Sequence, residues 1–121
     1  MPAPGVAQPS SVAWFALALA GVLEVAWATT MKASDGFRKP LLAVATVLLM
    51  LASFSLLAFA MRSLPLGTSY AVWTGIGAVG AAIVGMVWLG EPRTVIRIAC
   101  VVAIVVGIFG LRLTHAPVPA T

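Results

Sequence analysis

One carboxylate stands in a stretch that is otherwise soluble in lipid. It is Glu24, in ALAGVLEVAWATTM. A charged acid at the centre of a bilayer costs roughly 2.5–3.5 kcal/mol on insertion scales, so such residues face a protein interior or a watery path and mark the route of an ion or substrate. Lys32 follows eight residues later. At about 1.5 Å of rise per residue, Glu24 then sits roughly 12 Å below the interface, close to the midplane. Trp27, at i+3, shares its helical face and brings an indole N–H. Gly21, three residues the other way, is expected to leave open space beside the carboxylate. No Lys or Arg lies at matching depth in any apolar run. Glu24 therefore lacks an internal counter-ion: it is protonated, or its partner is a cation from outside. The plainer reading, a packing hydrogen bond to a neighbouring helix, leaves the cost of the acid without a purpose.

A second polar face lies in TSYAVWTGIGAVGAAIVGMVW, where Tyr70 and Trp73 are again i and i+3. A belt of interfacial aromatics explains Tyr70, near the helix start, better than Trp73, one turn deeper. Ser53 and Ser55 lie in the middle of another run, where bonding back to their own helix is the simplest expectation. GIGAVG, Gly75 to Gly80, has the spacing G-x-G-x-x-G, but it follows no strand and no acid stands about 20 residues on. Gly75, Gly77 and Gly80 suit close helix packing and local bending instead. Gly77, Ala81 and Gly85 form a small-residue stripe, as do Ala99, Ala103 and Gly107. Both suggest helix association.

Four apolar runs must hold these residues: about 11–31, 41–61, 68–89 and 95–113. Each is near the 20 residues that carry a helix across about 30 Å of hydrocarbon. Of the 121 residues 62% are hydrophobic and 8% charged, far from the roughly 25% charge of a soluble domain. The chain reads as an all-α membrane protein with a leader (1–10), a four-helix transmembrane domain (11–113) and a tail (114–121). Retention of the first run is expected, although FALALAG resembles a cleavage site, because no basic residue precedes it and the run continues past Gly21. Short turns, KASDGFRKP, RSLPLG and GEPR, make successive helices antiparallel neighbours and put both termini on one side. The first and third turns share the other side and carry Lys32, Arg38, Lys39, Arg93 and Arg97, against Arg62 and Arg112 opposite. That bias favours a cytoplasmic position for them, with Arg97 snorkelling to the headgroups.

The formal charge of +4 marks loops at a bilayer rather than a nucleic-acid partner. Cys100, inside an apolar run, cannot form an intrachain disulfide and is expected to pack. Glu91, in a turn, is expected to be solvated. His115 has no second ligand at metal spacing. No nucleophile–base pair or His/Cys cluster suggests an enzyme, a metal or a cofactor.

LAGVLEVAWA, SLPLGTSYAVWTGIGAVGAA and the LGE after the third run resemble the small multidrug resistance transporters, and more narrowly their guanidinium-exporter subtype, over roughly residues 12–113. The resemblance implies an antiparallel homodimer in an inner (plasma) membrane, with Glu24 of both subunits binding protons or one substrate. It places Trp27, Ser53, Tyr70 and Trp73 at binding-site positions, and Arg112 where a basic residue occurs in the subtype. Guanidinium is planar, and its N–H donors pair well with carboxylates. Indole N–H groups of Trp27 and Trp73, with the Ser53 hydroxyl, are expected to donate to Glu24. Desolvation and a facing carboxylate favour the neutral acid, hydrogen bonds favour the charged one, and two such acids titrate as a pair. The expectation is an antiporter exchanging two protons for each guanidinyl cation. The alternatives are an exporter of aromatic or quaternary ammonium cations and a non-transporting assembly partner.

Overall fold

The computed structural model describes residues 11–114, all four connected elements being helices: α1 (Ser11–Ala33), α2 (Pro40–Ala60), α3 (Leu66–Trp88) and α4 (Val95–Thr114). The leader 1–10 and the tail beyond Thr114, His115 included, lie outside the described residues. Each helix is long and apolar enough to cross a membrane. The expected runs match these helices to within about two residues, and the turn chemistry explains where they stop. Pro40 opens α2, where its missing N–H costs nothing. Pro65 takes the extended conformation just before α3. Gly90, at φ 71°, takes the left-handed position just past α3 that side chains resist. In the α1–α2 loop the buried Ser34 hydroxyl donates to Met31 O at 2.7 Å and accepts from Phe37 N at 3.0 Å.

The helices do not form an even bundle. α1 packs against both α2 and α3, while the backbone of α4 approaches only α3. The core lies at the end shared by the start of α1, the end of α2 and the start of α3. There Ala13, Leu17, Ala20, Leu57, Ala60, Leu64, Val72 and Trp73 are buried together. None of the residues of α4 is buried. Its apolar residues, Ile98, Val102, Val106 and Phe109 among them, point outwards, as hydrocarbon allows. Cys100 is exposed too, and it does not pack within the subunit as expected. A helix apolar all round gives no signal in sequence of which face is covered.

Polar ties between helices are few. Thr30 and Thr46 share a hydroxyl–hydroxyl bond of 2.7 Å near the α1–α2 loop. Deeper in the membrane, Ser53 Oγ of α2 donates to the Ala20 carbonyl of α1 at 2.7 Å. Buried hydrogen bonds of this kind contribute about 0.6 kcal/mol on average inside a bilayer. They fix α1 and α2 as a pair. The α1–α3 seam is made differently, by side chains of α1 and α3 seated on each other's glycines.

Candidate functional site

Glu24 lies at the α1–α3 seam. Its carboxylate occupies the space over Gly77, so that a Cβ on Gly77 would collide with Glu24 Oε1. One turn along, Val25 fills the corresponding space over Gly80, and Ile76 of α3 sits over Gly21, 2.6 Å from where a Cβ would be. The expected gap at Gly21 is therefore filled, and the glycine that makes room for the acid is Gly77. The reason is direction: Glu24 reaches across to α3, while Gly21 receives a side chain from α3. The stripe Gly77, Ala81 and Gly85 thus faces α1 and the α3–α4 loop of its own subunit. Gly75 faces α4 instead, a Cβ there coming 3.0 Å from Ile108 Cδ1.

Glu24 Oε1 is buried and without a hydrogen-bond partner among the described residues, and so is Trp27 Nε1. An unmet acceptor and an unmet donor one turn apart on the same helix are open to a ligand, since buried polar atoms otherwise find partners. The expected donation from Trp73 and Ser53 to Glu24 is not what the geometry gives. Trp73 Nε1 donates to Ser53 Oγ at 3.0 Å, and the Ser53 hydroxyl in turn donates to the Ala20 carbonyl. In a regular helix that carbonyl also accepts the N–H of Glu24, four residues on. The relay from α3 through α2 therefore holds the backbone turn that carries the acid, one step short of the carboxylate. Ser55 bonds back to Leu51 O at 2.7 Å, as expected for an isolated serine. Ser53 does not, because Ala20 leaves the carbonyl of a facing helix within its reach.

The aromatic residues form a connected row. Trp27 meets Phe54 edge-on at 6.2 Å between ring centres. Phe54 meets Trp73 at 5.7 Å, and Tyr70 lies 5.5 Å from Trp73. Of the expected lining, Trp73 and Ser53 are buried, Trp27 is half-buried and Tyr70 is exposed. Phe54, the link between the two indoles, was not foreseen. The run around it is uniformly apolar, so nothing in its periodicity singles out that ring. Such a row suits a cation, whose charge is attracted to ring faces. Arg112 shows this chemistry within the chain, its guanidinium carbon lying 4.3 Å from the centre of the Trp14 ring.

The site as built is a carboxylate near the middle of a helix long enough to cross a membrane, an unmet indole donor one turn on, and a row of aromatic rings that starts at that indole. Among the described residues no group of three His, Cys, Asp or Glu could hold a metal.

Comparison with known proteins gives the chain's kinship. The model of the Small Multidrug Resistance protein family matches residues 12–112. The chain is 54% identical over 105 residues to a guanidinium exporter of Escherichia coli K12, covering 86% of this chain and all of that one. It is 53% identical over 102 residues to a guanidinium exporter of Yersinia pseudotuberculosis, covering 84% and 98% of the two chains. It is 49% identical over 105 residues to one of Citrobacter freundii, covering 86% of this chain and all of the relative. Four apolar helices and this kinship make the chain a multi-pass protein of the inner membrane, and it belongs to the small multidrug resistance family.

Proposed function

We propose that the protein is a proton-coupled antiporter that exports guanidinium and small guanidinyl cations through Glu24. The observation that carries the reading is the buried carboxylate oxygen of Glu24, held at the α1–α3 seam with no hydrogen-bond partner among the described residues. Three relatives known as guanidinium exporters, each about half identical to this chain, support the substrate class. A planar cation with parallel N–H donors offers that oxygen what it lacks. Trp27 Nε1 is near enough along the helix to donate to the same carboxylate once the acid turns toward it.

The working unit is an antiparallel homodimer in which the two Glu24 side chains face each other. Together they carry a charge of about −2 when ionised. Two protons neutralise them, and one guanidinium leaves a single negative charge. If each reorientation of the dimer requires one of these two loads, two protons enter for every cation that leaves. One positive charge then moves inward per cycle, adding about 2.3 kcal/mol per 100 mV of membrane potential to the proton gradient.

Proteoliposomes with an imposed pH gradient test this. Guanidinium flux should follow the gradient and carry a current, and Glu24→Gln should abolish both while the dimer still forms. Gradient-driven flux that survives Glu24→Gln removes the proposed role of the acid. A preference for bulky quaternary cations over guanidinium would favour the broader multidrug reading. A protein that moves neither is an assembly partner.

A further inference from the structure

The α3–α4 loop holds an acid that the transport reading leaves unused. Glu91 is in the expected turn and exposed, as expected, yet it is also held in place. Its backbone N–H donates to Gly85 O at 3.0 Å, and its carboxylate lies over Gly85, where any Cβ would displace it. Arg97, expected to reach for headgroups, reaches back instead and donates from Nη2 to Glu91 Oε1 at 3.1 Å. This hold is one-pronged. Arg97 Nε is buried and has no hydrogen-bond partner among the described residues. A guanidinium that meets a carboxylate face-on makes two parallel bonds, so Arg97 leaves part of the acid's pairing capacity unused.

Glu91 also borders a cavity of about 200 Å³ between α1 and α3, with Ala28, Thr29 and Lys32 on one wall and Ala81, Val84 and Leu89 on the other. Its floor residues, Ala28 and Ala81, are each four positions, one helical turn, from Glu24 and Gly77. The cavity therefore lies on the same seam as the central acid, on the side of the α1–α2 and α3–α4 loops. Glu91 stands at the loop end of that seam and Glu24 further in, so a cation entering along the seam from that side would meet Glu91 first.

We infer that Glu91 is an outer docking site for a guanidinium cation on its way to or from Glu24, and that the side chain of Arg97 is its built-in competitor. The inference rests on the transport reading above. The exchange at Glu91 is neutral in charge, one guanidinium replacing another, while the half-exposed Arg97 side chain swings into the interface. Lys32 on the facing wall and Arg93, whose Nε donates to Met86 O at 3.0 Å, keep the surroundings positive. They make the site a weak one, which a relay point needs: a tight site would trap the cation short of the centre.

The two members of the pair are then predicted to act with opposite sign. Glu91→Gln removes the acceptor and should raise KM for guanidinium in proteoliposomes. Arg97→Gln removes the competitor and should lower it. Each change should be about two- to fivefold, the span of an exposed charge pair, with the maximal rate retained. Both shifts should shrink at about 1 M salt, where the screening length falls to about 3 Å. A purely structural clamp predicts instead that both variants lose maximal rate or thermal stability together, with KM unmoved, and that result overturns the inference. Should Glu91→Gln not fold, the fall in KM with Arg97→Gln decides alone, and an unchanged or raised KM there rejects the proposal. If the wild-type protein moves no guanidinium, the transport reading falls and takes this one with it. If the wild type transports and KM stays fixed in both variants, only the docking site is lost.

Discussion

α1 and α4 are both about 20 residues of nearly continuous apolar sequence, yet the protein uses them in opposite ways. α1 buries Ala13, Ala16, Leu17, Ala20 and Gly21, touches two neighbours and carries the membrane acid. α4 has no fully buried residue: Ile108 and Leu111 pack partly buried against the core, and its backbone approaches α3 alone. The glycines show the same division. Those at the α1–α3 seam, Gly21, Gly77 and Gly80, are filled by side chains, while Gly107 and Gly110 on α4 face open space. The proposed site thus lies within α1, α2 and α3, and α4 leaves most of its surface for lipid or, on the proposed dimer, for a second subunit. Hydropathy alone cannot separate the two roles, because hydrocarbon and a packed protein interior select the same side chains.

The sharpest way to break this contrast is to put the same methyl group on both sides of it. Gly77→Ala places a Cβ where the Glu24 carboxylate lies. Overpacking of a fitted site costs about 1–3 kcal/mol, and here the group displaced is the one proposed to bind. Guanidinium flux should fall by about tenfold or more. Gly107→Ala has nothing within 4 Å to meet and should leave the thermal midpoint of the subunit unmoved. Flux and thermal unfolding in detergent, measured on both variants, check the pair. Equal losses would mean that α4 is packed as tightly as α1.

A smaller effect is expected from the relay that holds α1. Ser53→Ala leaves the Trp73 indole without an acceptor and takes a bond from the Ala20 carbonyl. Trp73→Phe removes a single donor and leaves the Ser53–Ala20 bond intact. A buried group left unsatisfied costs about 1–3 kcal/mol, against about 1 kcal/mol for an ordinary bond, so Ser53→Ala should be the more damaging in hydrogen bonding. The double variant should be less damaging than the sum. Strict additivity in thermal unfolding would show that the two residues do not act through each other.

Much of this was legible in the sequence, and the limits have a physical pattern. Length and hydropathy located the four spans because the bilayer itself sets their length. Glu24 stood out because an acid among apolar residues is costly wherever its helix packs. Position along a helix was therefore readable. What faces what across two helices was not. Gly21 looked able to open space for the acid and Gly77 only to bring helices close, and the relative rotation of α1 and α3 assigns that task to Gly77 instead. Ser53 and Ser55 looked alike, two residues apart, until α1 supplied a carbonyl to one of them. Cys100 and Phe54 were missed for the same reason, since a uniformly apolar run carries no mark of its outward face. The Glu91–Arg97 pair spans a turn, outside the i, i+3 and i, i+4 spacings by which helical charge pairs are read.

The mildest test concerns the far end of α4, where the contrast between the helices is least absolute. Arg112 lies over the Trp14 ring, a contact between α4 and α1 where their backbones are not close neighbours. Trp14 is half-buried and packs against the core. A cation over an indole at a partly exposed site is worth about 0.5–1 kcal/mol. Arg112→Gln should therefore lower the thermal midpoint by only a few degrees at most, and Arg112→Lys, which keeps the charge without the stacking plane, should recover part of it. Guanidinium flux should hardly change, since Trp14 lies ten residues from Glu24 on α1, about 15 Å along the helix. A loss of flux as large as that of Gly77→Ala would show that α4 takes part in the transport step itself, and the division between a working three-helix unit and an outer fourth helix would no longer stand.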